Sequence, residues 1–136
     1  MVWWRKNVCA MNGIDLQAFC DTNIAIYLLN GDRHLAELLH GMDTKVSFIT
    51  ELELLSKPGI TPEEVIKTKA FIGQCTVVDI SPAIKRKVID IRQKVKLKLP
   101  DAIIAASAIV LGLPVVTADK QFEKIPGLSA IIVVRE

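Results

Sequence analysis

The stretch Leu99 to Asp119 reads LPDAIIAASAIVLGLPVVTAD, a helix followed directly by a strand. Pro100-Asp101 opens the helix, with proline where a missing amide costs little and an acid near the positive helix end. Ala102 to Leu111 carries it forward and Gly112 terminates it. Pro114 to Thr117 is then a short strand that runs into Ala118-Asp119. Its residues are apolar without alternation, the pattern of a parallel strand covered on both faces.

The same alternation extends in both directions. Ala18-Phe19-Cys20 is an apolar run closed by the turn-and-cap cluster Asp21-Thr22-Asn23, and Ile24 to Leu29 reads as a helix stopped at Gly31. Arg33 to His40 is a second helix. Lys45 to Ile49 is strand-like, and Thr50 begins another helix that stops before Pro58-Gly59. Thr61-Pro62-Glu63-Glu64 is a helix start with a cap, a proline and first-turn acids, continuing to Ile72. Thr76 to Ile80 is a strand, Ser81-Pro82 caps a helix through Val95, and Ile131 to Val134 is a last strand. Strands alternating with helices predict an α/β fold, a parallel sheet of about five strands between two helical layers.

The chain has 136 residues, 51% apolar and 24% charged, with a formal charge of +2. That suits one domain and excludes disorder. The longest apolar stretch, Ala102 to Val116, falls short of the ~20 residues a membrane helix needs and is broken by Gly112 and Pro114. No apolar core follows the basic start, so no secretory signal is read. Cys9, Cys20 and Cys75 are odd in number and without CxxC spacing, which suggests neither a disulfide framework nor a zinc site. A reduced, cytoplasmic protein is expected. Residues 1–10, with Trp3 and Trp4, read as an arm or a misassigned start before Met11, and 11–136 as a single domain.

In a parallel sheet the strand C-termini and helix N-termini share one edge, where ligands bind. Asp21 follows the first strand. Asp119 follows the Val115–Thr117 strand at what is expected to be the same distance. Asp101 starts the helix leading into that strand, and Glu53 falls in the first turn of the helix after Lys45–Ile49. Each acid has a structural reading of its own. Thr50 and Glu53 fit a capping box, Asp101 complements a helix dipole, Asp21 initiates a turn, and Asp119 caps a short helix. Ser, Thr or Asn would serve those purposes as well, so acids at all four places point to something more. Two charges ~4 Å apart repel by about 1 kcal/mol in water and about 4 at an intermediate dielectric, so such a rim needs a cation. Oxygen ligands without His or Cys select Mg²⁺ or Mn²⁺, and that chemistry leads to activated water attacking a phosphodiester. His34 and His40 lie together on a helix away from the rim, which leaves histidine-based cleavage without a base. No Gly-rich phosphate loop, serine elbow or HExxH pattern is present.

Four segments now carry a resemblance. Asp21-Thr22-Asn23, Ser47-Phe48-Ile49-Thr50 with Glu53-Leu54-Leu55, Leu99-Pro100-Asp101-Ala102-Ile103-Ile104-Ala105, and Thr117-Ala118-Asp119-Lys120-Gln121-Phe122 resemble, in order and spacing, the motifs of PIN domains. Among these the chain looks most like the single-domain VapC-type toxins of toxin–antitoxin pairs. The resemblance runs from Ala18 to the C-terminus and implies a metal-dependent ribonuclease, Asp21, Glu53, Asp101 and Asp119 being the metal-binding acids. Asn23 and Thr117 match polar positions that support them, and the motif register selects Glu53 over Glu51. It further implies a homodimer and a cognate antitoxin that binds in a groove near the acids and inserts a basic residue among them.

Between Lys85 and Lys98 lie seven basic residues (Lys85, Arg86, Lys87, Arg92, Lys94, Lys96, Lys98) against one acid, Asp90. They suit phosphate contact or a solvated helix face, and Lys120 is a further candidate. The small total charge therefore conceals a local basic segment offset by an acidic remainder. With only 5% aromatic residues, base stacking is expected to be limited. A stand-alone nuclease of RNA maturation and a catalytically silent PIN-fold binding module are the alternatives. A phosphotransfer receiver has no use for Glu53 and Asp101.

Overall fold

The computed structural model describes residues 17–134. The arm or alternative start expected over residues 1–10 lies outside the described residues. Five parallel strands form one sheet in the order β3-β2-β1-β4-β5: β1 (Gln17–Cys20), β2 (Asp43–Ser47), β3 (Thr76–Val78), β4 (Val115–Thr117) and β5 (Ala130–Ile132). The helices are α1 (Thr22–Leu29), α2 (Arg33–Leu38), α3 (Phe48–Leu55), α4 (Pro62–Gly73), α5 (Pro82–Lys94) and α6 (Leu99–Leu111), with a short 3₁₀ helix over Lys120–Lys124. This is the three-layer α/β sandwich expected from the alternation of strands and helices.

Successive residues of a strand face opposite ways, and the core divides accordingly. Phe19 and Val115 pack with Ile84, Val88 and Ile91 of α5, with α6 and with Phe122. Ala18, Cys20, Val46 and Val116 pack on the other face with Ile24 and Leu28 of α1, Leu35 of α2, Leu54 of α3 and Phe71 of α4. Each large side chain so enclosed contributes ~1.5–3 kcal/mol from leaving water. The run Ala102 to Ala108 is buried throughout and is mostly Ala and Ile, so α6 seats close to the sheet. Gly112 ends it at φ +70°, and the Leu113 amide returns to the Ala108 carbonyl at 2.9 Å. Cys20 is buried in the core, which pushes its thiol pKa up, and neither Cys20 nor Cys75 forms a disulfide among the described residues. Among those residues no helix is long and apolar enough to cross a membrane.

Several local expectations are corrected. The second strand ends at Ser47, and Phe48-Ile49 already belong to α3, although an aromatic and a β-branched residue favour a strand. Ser47 wins because its Oγ accepts from the Ile49 amide at 3.2 Å, a side-chain cap that starts the helix there. Thr50 is therefore not the cap, the Thr50–Glu53 capping box does not form, and the first-turn acid is Glu51 rather than Glu53. The strands expected over Thr76–Ile80 and Ile131–Val134 are shorter or shifted, covering Thr76–Val78 and Ala130–Ile132. The helix expected from Ala102 begins at Leu99, and that expected over Arg33–His40 ends at Leu38. The capping box at Thr61 forms as expected: Thr61 Oγ1 accepts from the Glu64 amide at 3.1 Å, and Glu64 Oε1 accepts from the Thr61 amide at 3.3 Å.

Candidate active site

Asp21 leaves the C-terminal end of the central strand and caps α1, so its position is set by the sheet itself. Its amide donates to the Val116 carbonyl at 3.1 Å, which continues the β1–β4 ladder one step beyond the strand. Only 4% of the residue is exposed. Oδ1 accepts from the Thr22 amide at 2.7 Å and Oδ2 from the Thr117 hydroxyl at 2.8 Å. Burial raises the Asp21 pKa above the usual carboxylate value, against the Thr117 and Thr22 hydrogen bonds, which lower it; the neighbouring charges of Asp101 and Asp119 raise it further.

The register corrects the expected position of Asp119. Cys20 pairs with Val116, so Thr117, not Asp119, stands level with Asp21, and Asp119 lies two residues beyond β4. Thr117 Oγ1 accepts from the Asp119 amide at 3.0 Å while donating to Asp21, so one buried hydroxyl ties both acids to the strand end. Asp119 also does what its structural reading asks. It caps the 3₁₀ helix, Oδ1 accepting from the Gln121 amide at 2.9 Å and Oδ2 from Gln121 Nε2 at 3.3 Å.

Asp101 stands in the first turn of α6. Among the described residues no donor bonds its carboxylate, so it caps nothing. Partial burial raises its pKa, followed by the charges of Asp119 and Glu53, while Lys98 lowers it. Glu53, exposed on α3, accepts from the Thr22 hydroxyl at 2.8 Å across 31 positions of the chain. The four acids thus lie along one rim at the C-terminal edge of the sheet, Asp21, Asp119 and Glu53 held through Thr117 and Thr22, and Asp101 sensed through repulsion alone.

None of the four is ion-paired among the described residues; the pairs there are Lys45–Asp43, Lys57–Glu64, Lys87–Asp90 and Lys94–Asp90. A buried carboxylate beside other acids, with no Lys or Arg to neutralise it, is a donor set suited to a hard divalent cation. Among the described residues no three His, Cys, Asp or Glu side chains already converge as a ligand cage. The carboxylates are close enough to feel one another's charge without converging on a common point.

The PIN domain family model matches residues 18–128, a span that holds all four acids and reaches from β1 through β4. The chain belongs to the PIN-domain family. Among solved structures, this PIN domain is similar to a toxin–antitoxin complex from Klebsiella pneumoniae, at 32% identity and a TM-score of 0.73 over 84% of this chain and 95% of that one. DNA-bound VapBC from Salmonella typhimurium gives 26% identity and a TM-score of 0.76 over 86% and 98%. VapBC2 from Rickettsia felis, bound to a DNA fragment from its promoter, shares the fold at 23% identity and a TM-score of 0.75 over 86% and 98%. These neighbours support a VapC-type PIN toxin. Comparison with curated proteins gives no match.

Of the polar residues expected to support the PIN acids, Thr117 does so directly. Asn23 is exposed on α1 and its side chain makes no hydrogen bond with a described residue. Nothing in the sequence singles out Thr22 and Thr50 as supporting residues, yet they bond each other at 2.8 Å and Thr22 bonds Glu53. Their spacing in the chain carries no sign of this, because the contact joins two elements. The basic segment is only partly free. Lys87 and Lys94 pair with Asp90, Arg92 Nε donates to the Leu97 carbonyl at 3.3 Å, and Lys98 precedes α6 beside Asp101. Lys85, Arg86, Lys96 and Lys120 are exposed and unpaired among the described residues. His34 on α2 and His40 in the turn after it are both exposed. A groove of about 310 Å³ between α1, α3 and α4 is lined by Ile26, Leu29, Leu54 and Ile60, with Glu53 at its margin.

Proposed function

We propose that this PIN domain is a metal-dependent endoribonuclease, the toxin of a toxin–antitoxin pair acting in the cytoplasm. The observation that carries the reading is the rim of Asp21, Glu53, Asp101 and Asp119, which gathers negative charge around a buried carboxylate and forms no ion pair with a described Lys or Arg. Mg²⁺ or Mn²⁺ is the fitting cofactor, and these four side chains are the ones that would hold it. Such an ion supplies water activation and neutralisation of the attacked phosphate.

The residues divide the remaining work. Thr117 and the Thr22 amide fix both oxygens of Asp21, so its orientation is set before any ligand arrives. Gln121 and the Thr117 hydroxyl hold Asp119. The Asp101 carboxylate accepts no hydrogen bond from a described residue and would be available to a cation without breaking one. Lys85, Arg86 and Lys96 are the cations available for RNA phosphates, with Lys120 beside the rim. Lys87, Arg92 and Lys94 contribute less, being engaged on the protein, while exposed Lys98 stands beside Asp101. The apolar groove beside Glu53 suits a helix of a cognate antitoxin, and a homodimer is proposed on the family's pattern.

The test is cleavage of RNA in Mn²⁺ and in chelator, with Asp21→Asn and Asp101→Asn beside the unaltered chain. Cleavage that needs Mn²⁺ and falls by about 100-fold or more in both variants is expected. Unchanged cleavage in both ends the reading.

A further inference from the structure

The side chain of Glu53 is held differently from the rest of the rim. Asp21 is walled in by the sheet, but Glu53 projects from α3 into solvent, where a long carboxylate side chain samples many rotamers. An alternative partner lies on the same groove. Lys57 follows the C-terminal end of α3, and both it and Glu53 line the groove between α1, α3 and α4. Lys57 nevertheless bonds Glu64 at 2.9 Å, and Glu64 is itself fixed by the capping box with Thr61. Glu53 instead accepts from Thr22.

The hydrogen bonds there have one consistent direction. Thr22 Oγ1 has a single proton and donates it to Glu53 Oε1, so the contact between the two hydroxyls is filled by the Thr50 proton. Thr50 is fully buried and cannot turn away to water. The chain Thr50–Thr22–Glu53 therefore begins on the buried side of α3 and ends at the rim, and Thr22 adjoins Asp21 in sequence. We propose that Thr22 is a positioning residue whose hydroxyl, oriented by Thr50, holds the Glu53 carboxylate at the rim, where its charge acts on Asp101, and away from Lys57. The inference rests on the metal-binding reading of the rim and adds to it the means by which its exposed glutamate is kept in place.

Calorimetric titration with Mn²⁺ tests it, using Thr22→Val, Thr22→Ser, Glu53→Gln and the double variant Thr22→Val/Glu53→Gln, with a thermal melt of each in chelator. Thr22→Val keeps the shape and removes the donor. Its Mn²⁺ affinity should fall by about tenfold, as for loss of one hydrogen bond to a charged group, and Thr22→Ser should restore most of it. In the Glu53→Gln background the same substitution should change affinity by less than about twofold, since there is no longer a carboxylate to hold. An equal loss in both backgrounds assigns Thr22 a structural role and overturns the inference, as does an unaffected Thr22→Val. An unaltered chain that binds no Mn²⁺ overturns the metal reading and this inference with it.

Discussion

The Thr117 hydroxyl donates to the buried Asp21 carboxylate at 2.8 Å across 96 positions of the chain, and in the same place accepts from the Asp119 amide. A single side-chain oxygen thus joins the ends of two adjacent strands. Replacing it with the isosteric Thr117→Val leaves one buried carboxylate oxygen and one amide without a partner. The substitution should lower unfolding free energy by ~1–3 kcal/mol in urea titrations, and Thr117→Ser should recover most of it.

Asp101 contributes repulsion and, among the described residues, receives no hydrogen bond in return. Asp101→Asn should therefore raise the melting temperature in chelator, by a stabilisation of up to ~1 kcal/mol once solvent screening is allowed for. The same variant should lose most of the increase in melting temperature that Mn²⁺ produces in the unaltered chain. Differential scanning calorimetry in the two buffers reads both effects.

The pH dependence follows from the same two groups. Asp21 and Asp101 have folded-state pKa values above their usual 3.8, so the folded state retains protons that the unfolded chain has released. Their joint contribution makes stability fall as pH rises from about that value through the raised ones. Glu64 and Asp90 act oppositely. Held low by Lys57 and the Thr61 capping box, and by Lys94 and Lys87, they contribute stability above their usual pKa that is lost as pH falls. Urea midpoints in chelator should decline across the weakly acidic range, and Asp21→Asn should flatten that decline.

The cap of α3 gives a prediction independent of the metal. Ser47→Ala removes the bond to the Ile49 amide and should cost ~1 kcal/mol in chemical denaturation. Were Thr50 the cap, as its spacing to Glu53 suggests, Ser47→Ala would have little effect there.

Among the basic residues, pairing decides the ranking. Lys85→Ala, Arg86→Ala and Lys96→Ala should each weaken RNA binding and lower the salt slope by roughly 0.7 for each phosphate the side chain neutralises. Lys94→Ala, whose ammonium already bonds Asp90 at 3.0 Å, should do less. Filter binding at several salt concentrations distinguishes the two groups.

The fold is legible in the sequence because its punctuation is local. Gly112 after an apolar helix, Pro62 and Pro82 at helix starts, and apolar runs before Asp21 and Asp119 each report their own neighbourhood. The positions of Asp21, Asp101 and Asp119 are legible for the same reason, each lying near a strand end or helix start, whereas Glu53 is singled out from Glu51 only by the motif register. Contacts between elements leave no such mark. Phe48-Ile49 look like strand until the Ser47 cap is known, Asp119 looks level with Asp21 until the register is known, and Thr22 looks like a turn residue until α3 stands beside it. Asn23, prominent in the motif, makes no hydrogen bond to the acids because it lies on the exposed side of α1.

The strand order has a consequence for how the chain matures. β1 is made first among the described strands yet lies at the centre of the sheet, with β4 filling its second edge only after nearly a hundred further residues. Until then the Phe19 and Asp21 amides have no carbonyls of Pro114 and Val116 to meet, and Asp21 lacks the Thr117 hydroxyl. Closing so long a loop is entropically slow relative to forming neighbouring helices. A chain still emerging from the ribosome can build the β1–β2–β3 half while its rim remains incomplete. Whatever the rim does is thereby deferred until β4 has been made.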